Sequence, residues 1–133
     1  MSESGMKEPH WLDRSVILAI QGELLARFGG LEGIRDEGLL DSALGRAQQG
    51  FYYGQPDLFD LAATYAHGLV KNRPFLDGNK RIGFMAAYTF LAASGQQLQG
   101  PEEEAVLETL ALAAGECAAD EYAAWLRRSC TPR

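Results

Sequence analysis

Residues 71–83 read K-N-R-P-F-L-D-G-N-K-R-I-G, and this stretch decides how the remainder of the chain is read. Pro74 and Gly78 break helix, and Asp77-Gly78-Asn79 carries the side chains that favour a turn. The apolar, glycine-poor run from Ile82 to Ala93 follows at once and predicts a helix, with Asn79, Lys80 and Arg81 in or beside its first turn. Cations there oppose the helix dipole by roughly a few tenths of a kcal/mol or more each. Free backbone N–H groups, the dipole and two cationic side chains would together suit a bound anion. Between Lys71 and Arg81 stand four basic residues and one acid, in a chain whose formal net charge is -6. A phosphate site is the reading these residues support.

Working outward, 133 residues predict a single domain over 1–133, with 1–9 and 129–133 loose. The composition, 47% hydrophobic and 23% charged, is that of a globular chain. A pI near 4.8 argues against a general nucleic-acid binder and confines the positive charge to a local pocket. No apolar run reaches membrane-spanning length and no signal-peptide hydrophobic region is visible, so a cytoplasmic protein with no membrane partner is expected. Cys117 and Cys130 are too few for a disulfide framework, and a reducing compartment is the default.

Upstream of the loop, Asp13 is a candidate cap for a helix over 14–28, which Gly29-Gly30 ends. A second helix is expected over 36–47. Gln48 to Pro56, rich in Gly, Gln and Tyr, reads as a loop, either a flap over a ligand carried by Tyr52 and Tyr53 or a packed connection. Asp57 predicts the cap of a third helix, 58–71. Downstream, the fourth helix covers 79–93. Pro101 followed by three glutamates starts a fifth running to about 114, and the last spans about 119–128. Alternating β-branched runs are lacking, so strands should be absent or trivial. The expected product is an all-α domain with the third and fourth helices buried around the central loop.

Asp77 is the only carboxylate inside the basic stretch. It suits a Mg²⁺ ligand bridging to a nucleotide's phosphates, or alternatively a turn former paired with Lys71 or Arg73. Lys80 and Arg81 read either as phosphate clamps or as solvated helix surface. Asn79 would cap the helix or hold the loop, and only the cap has local sequence support. Phe75 reads as a core peg fixing the loop, with Gly78 allowing close backbone approach. His10 and His67 lack partners at metal-ligand spacing, and His67 reads as structural. P-loop and dinucleotide fingerprints do not occur.

The run R-P-F-L-D-G-N-K-R, 73–81, resembles the signature of the Fic/Doc superfamily, H-x-F-x-D/E-G/A-N, with the K-R continuation of its Doc (death-on-curing) branch. W-L near the start, F-G-G-L-E-G-I-R-D-E-G-L-L at 28–40, D-L-F-D-L-A-A-T-Y at 57–65 and A-A-W-L-R near the end extend the likeness over most of the chain. The resemblance implies a helical Fic fold. It also implies a Doc-type toxin that moves the γ-phosphate of ATP to a Thr/Ser hydroxyl of a translation factor such as elongation factor Tu. Lys80 in place of the second glycine of G-N-G favours this over the AMP transfer of Fic relatives. By resemblance Asp77 holds Mg²⁺, Lys80 and Arg81 hold phosphates, Asn79 and Gly78 shape the anion hole, and Phe75 anchors the loop. A cognate antitoxin would insert a helix into the groove, since the self-inhibitory pattern of some Fic proteins is absent.

One departure weighs against activity. The family's general-base histidine falls on Arg73, and a guanidinium stays protonated at any working pH. Gln21 also stands where Doc relatives often carry histidine. Loss of a base removes about 10²–10⁴ in rate, so an impaired kinase is expected. Arg73 is either a substitution favoured because the active toxin kills its host, or the mark of a natural degenerate homologue. A non-catalytic nucleotide- or antitoxin-binding module is the remaining alternative.

Overall fold

The computed structural model describes residues 7–133. The expected loose lead, 1–9, therefore falls largely outside the described residues. Six helices account for most of the chain: α1 (Arg14–Phe28), α2 (Glu37–Tyr53), α3 (Leu58–Asn72), α4 (Asn79–Ala93), α5 (Glu102–Ala114) and α6 (Ala119–Ser129). Two three-residue strands, β1 (Gln96–Leu98) and β2 (Cys130–Pro132), pair antiparallel. The fold is all-α.

Helices α3 and α4 form the centre. Leu61, Ala62, Tyr65, Ala66 and Leu69 of α3 and Ile82, Ala86, Ala87, Phe90 and Leu91 of α4 are fully or almost fully buried. Small residues let the two backbones approach closely. A Cβ on Gly83 would come within 2.7 Å of Val70 Cγ2 and 3.1 Å of the Ala66 carbonyl, so only glycine fits there. Around this pair, α2 and α6 pack on α3, while α1 packs on α4. Helix α5 is peripheral: Thr109 and Leu112 are its buried residues, and Trp125 Nε1 ties it to α6 by donating to Glu104 at 2.7 Å.

Two expectations about connections are corrected. Residues 48–53 form the last turns of α2, so Tyr52 and Tyr53 ride on a helix and no loop flap exists there. Gly50 costs this helix about 1 kcal/mol relative to alanine. Tertiary contacts offset it: Phe51 meets the Trp11 ring edge-on at 5.5 Å, and Trp11 stacks on Phe90 at 6.4 Å. Tyr52 donates its hydroxyl to Glu8. Asp36 at the start of α2 bonds the signature loop, so Tyr52 and Tyr53 lie some 17 residues of helix away, roughly 25 Å. The C-terminal tail, expected to be loose, is instead paired, with Gln97 opposite Thr131 and Leu98 opposite Cys130.

Candidate active site

The loop between α3 and α4 is built by its neighbours as much as by its own residues. Helix α3 ends on Arg73, whose φ of 51° and ψ of 56° lie in the left-handed region. That conformation is uncommon for arginine, and it is further disfavoured before a proline such as Pro74. Arg35 holds it in place. The Arg35 guanidinium donates to the Arg73 carbonyl at 2.7 Å and to the Asn72 carbonyl at 2.8 Å, satisfying the exposed end of α3. The backbone beside Arg35 then runs along the loop. Both Arg35 and Asp36 N–H groups donate to the Pro74 carbonyl, and Leu76 N–H donates to Gly33.

Phe75 is buried in the core. Burial of a phenylalanine side chain contributes about 1.5–3 kcal/mol, so Phe75 fastens the middle of the loop. Asn79 grips the same residue by both of its backbone groups. Its Oδ1 accepts from Phe75 N–H and its Nδ2 donates to the Phe75 carbonyl, each at 3.0 Å. Of the two readings of Asn79, cap or loop holder, these bonds are those of the loop holder. Gly78, in left-handed conformation at φ 79°, occupies the cap position of α4 and offers no side-chain acceptor.

The start of α4 is consequently open. Ile82 N–H is the first to bond inside the helix, to the Gly78 carbonyl. Among the described residues the N–H groups of Asn79, Lys80 and Arg81 have no acceptor. No acid lies in the first turn, and Lys80 and Arg81 make no ion pair with any described residue. The dipole adds to the positive charge that Lys80 and Arg81 bring to this turn.

Asp77 does not pair with Lys71 or Arg73. Its Oδ2 accepts from Leu31 N–H at 3.3 Å and its Oδ1 from Gly78 N–H at 3.0 Å. A cleft of about 10 Å³ lies between the last turns of α1 and the loop, bordered by Gln21, Phe28, Asp77 and Arg81. It has room for about one water, so a larger ligand would lie across its mouth. Gln21 is buried and donates to the Gly33 carbonyl at 3.4 Å. His67 sits in α3, where burial first, then the Arg46 and Lys71 charges, lower its pKa. Three large apolar side chains remain half-exposed or more beside the loop: Phe28 at 54%, Leu31 at 65% and Leu76 at 50%.

No group of three or more His, Cys, Asp and Glu converges among the described residues. A lone accessible carboxylate suits Mg²⁺, which keeps several waters and takes one or two carboxylates plus phosphate oxygens. Gly30 leaves the Asp77 carboxylate room, because a Cβ there would stand 2.9 Å from Oδ2. The donor set fits a metal held jointly with a phosphate ligand.

A helical domain carrying this loop at the start of its central helix defines the class. The chain belongs to the Fic/DOC family, whose model matches residues 11–91. It is similar to protein kinase doc of Escherichia phage P1, with 34% identity over 84% of this chain and 89% of that protein. It is also similar to toxin Doc of Mycolicibacterium smegmatis (strain ATCC 700084 / mc(2)155), with 38% identity over 87% of this chain and 90% of the relative. Kinship to Doc-type toxins follows.

Arg35, Phe28 and Gly30 are the site residues that sequence reasoning missed. All three fall within or beside F-G-G-L-E-G-I-R, a stretch that carried the resemblance without revealing what its side chains do.

Proposed function

We propose that this chain is a Doc-type toxin by lineage, organised to transfer the γ-phosphate of ATP to a Thr/Ser hydroxyl of a translation factor resembling elongation factor Tu. The observation that carries the reading is the open start of α4: among the described residues, three N–H groups without an acceptor, with Lys80 and Arg81, beside an Asp77 carboxylate that makes no ion pair. Phosphoryl transfer consists mainly of positioning and charge stabilisation, and these groups supply both. In this reading Asn79 and Gly78 shape the anion hole, Lys80 and Arg81 hold phosphate oxygens, and Asp77 holds Mg²⁺. The metal, when bound, neutralises charge on the phosphates.

In the transfer itself, the target hydroxyl oxygen bonds to the γ-phosphorus, the bond from that phosphorus to the β,γ-bridging oxygen breaks, and ADP leaves with the electron pair. The hydroxyl proton needs an acceptor, and Arg73 cannot be one. Arg73→His should raise the rate of labelled phosphate transfer about 10²–10⁴-fold and arrest growth on expression. Histidine adopts the left-handed conformation more readily than most residues, so the variant should fold. Label from γ-phosphate, and not from the α-phosphate, is expected on the target; α-label would make AMP transfer the correct reading. A folded Arg73→His protein that neither arrests growth nor labels any protein would exclude both.

Arg73 itself favours a second reading, a module that binds nucleotide or antitoxin without turnover. The exposed Phe28, Leu31 and Leu76 provide an apolar margin for a partner helix, as a cognate antitoxin would require. Calorimetric titration with Mg·ATP tests retention of nucleotide binding: heat at stoichiometric ratio in the unaltered protein supports it.

A further inference from the structure

We propose that Phe28, at the end of α1, is a positioning residue that keeps Arg81 from pairing with Asp77, so that each charge stays available to its own ligand. The inference rests on the roles given above to Asp77 and Arg81. The two stand four residues apart, Asp77 just before α4 and Arg81 in its first turn, and both border one cleft. Asp77 lies outside the helix, and opposite charges on the border of one cleft attract one another. A closed pair would occupy the carboxylate and engage the guanidinium donors together. In the structure no Asp77–Arg81 ion pair forms within 4.0 Å.

One short turn holds them apart from two sides. The Arg81 guanidinium carbon lies over the Phe28 ring, 4.1 Å from its centroid; Arg27 approaches the same ring at 6.0 Å. Three residues later, Leu31 N–H draws the Asp77 carboxylate toward the backbone, where Gly30 leaves it space. A guanidinium held over a ring by cation–π attraction pairs with no carboxylate, which leaves its N–H donors available to phosphate oxygens. A carboxylate partner would instead consume two of them. The same contact gives a use for a phenylalanine that is 54% exposed and absent from the core.

The test uses the unaltered protein, Phe28→Leu and Phe28→Tyr, each also combined with Asp77→Asn. Phe28→Leu should weaken Mg·ATP binding by about three- to tenfold, the scale of a cation–π contact, while Phe28→Tyr stays within about twofold. The loss should shrink in the Asp77→Asn background, because the competing carboxylate is gone. A second readout needs no nucleotide. The Arg81 side-chain N–H resonance should be shifted upfield by the ring in the unaltered protein and in Phe28→Tyr. In Phe28→Leu it should move downfield, and further with Asp77 intact than in the Asp77→Asn background.

If the unaltered protein binds no Mg·ATP, the nucleotide reading fails and the resonance alone decides the role of Phe28. An Arg81 shift in Phe28→Leu that is the same with either residue at position 77 overturns the inference, whatever the nucleotide result. An undiminished drop on Phe28→Leu in both backgrounds, each measured against the protein with the same residue at position 77, also overturns it, by showing that Phe28 contacts the ligand directly.

Discussion

The starts of α3 and α4 belong to helices of equal length, 15 residues each, packed side by side, and they are finished in opposite ways. At α3, Asp57 accepts from Asp60 N–H at 2.8 Å and Asp60 accepts from Asp57 N–H at 2.9 Å, a reciprocal cap that satisfies two helix-end donors. Arg127 of α6 closes the corner with Nε 2.8 Å from Asp57 and Nη2 3.3 Å from Asp60. At α4 the cap position is a glycine, the first turn carries cations, and Asn79 turns back to hold Phe75. One end commits its polar groups to stability. The other leaves its donors unfilled among the described residues, the place where the proposed reading puts an anion.

The contrast is broken most severely at Asn79. Asn79→Ala leaves both Phe75 backbone groups without a partner in a half-buried setting, and should lower unfolding free energy by about 2–3 kcal/mol in urea melts. Nucleotide titrations should fall silent as well, since the loop loses its frame. Asp57→Ala should cost about 1–2 kcal/mol through the lost cap while leaving nucleotide affinity unchanged. Burial pulls the Asp57 carboxyl upward, but the Arg127 guanidinium and the Asp60 N–H outweigh it and hold the pKa below its ordinary value. A lowered folded-state pKa contributes stability above the ordinary carboxylate range, and that contribution fades as pH falls through the folded value. The gap between wild type and Asp57→Ala should therefore narrow below about pH 4. Lys80→Glu should invert the usual trade at the open end. An acid in the first turn stabilises α4 by about 0.3–1 kcal/mol, so thermal melting should rise slightly while Mg·ATP binding weakens.

The same contrast explains what could be read from residues alone. Asp57, Pro101 with its glutamates, and the Gly29-Gly30 stop are local signals, and the helix boundaries they mark agree with the structure closely. Phe75 read as a core peg, and it is buried. Asn79 did not follow, because an asparagine at a helix start can cap or reach backward, and only the position of Phe75 decides. The last turns of α2 were read as loop since Gly50 and the tyrosines are poor local evidence for helix. Trp11, some 40 residues earlier, supplies the missing contact. Cys130–Pro132 likewise has no local reason to be ordered, and owes its conformation to Gln96–Leu98.

At the site, local signals and distant contacts divide the work. The residue types were legible: one carboxylate, two cations and a turn ahead of a helix, with arginine where a base would stand. Their chemistry is fixed by side-chain identity, so sequence alone determined that positive charge gathers at 71–81 and that Arg73 cannot accept a proton. The left-handed Arg73, the Arg35 clamp on its carbonyl, the Asp77 bond to Leu31 and the seat of Arg81 on Phe28 were settled only by tertiary structure. Those contacts join the loop to residues 28–35, from 38 positions upstream for Arg35 to 46 for Leu31 and farther for Phe28. Direction in space is set by whichever partner the fold brings within about 3 Å for a hydrogen bond or 6 Å for a ring, and no local pattern encodes that choice.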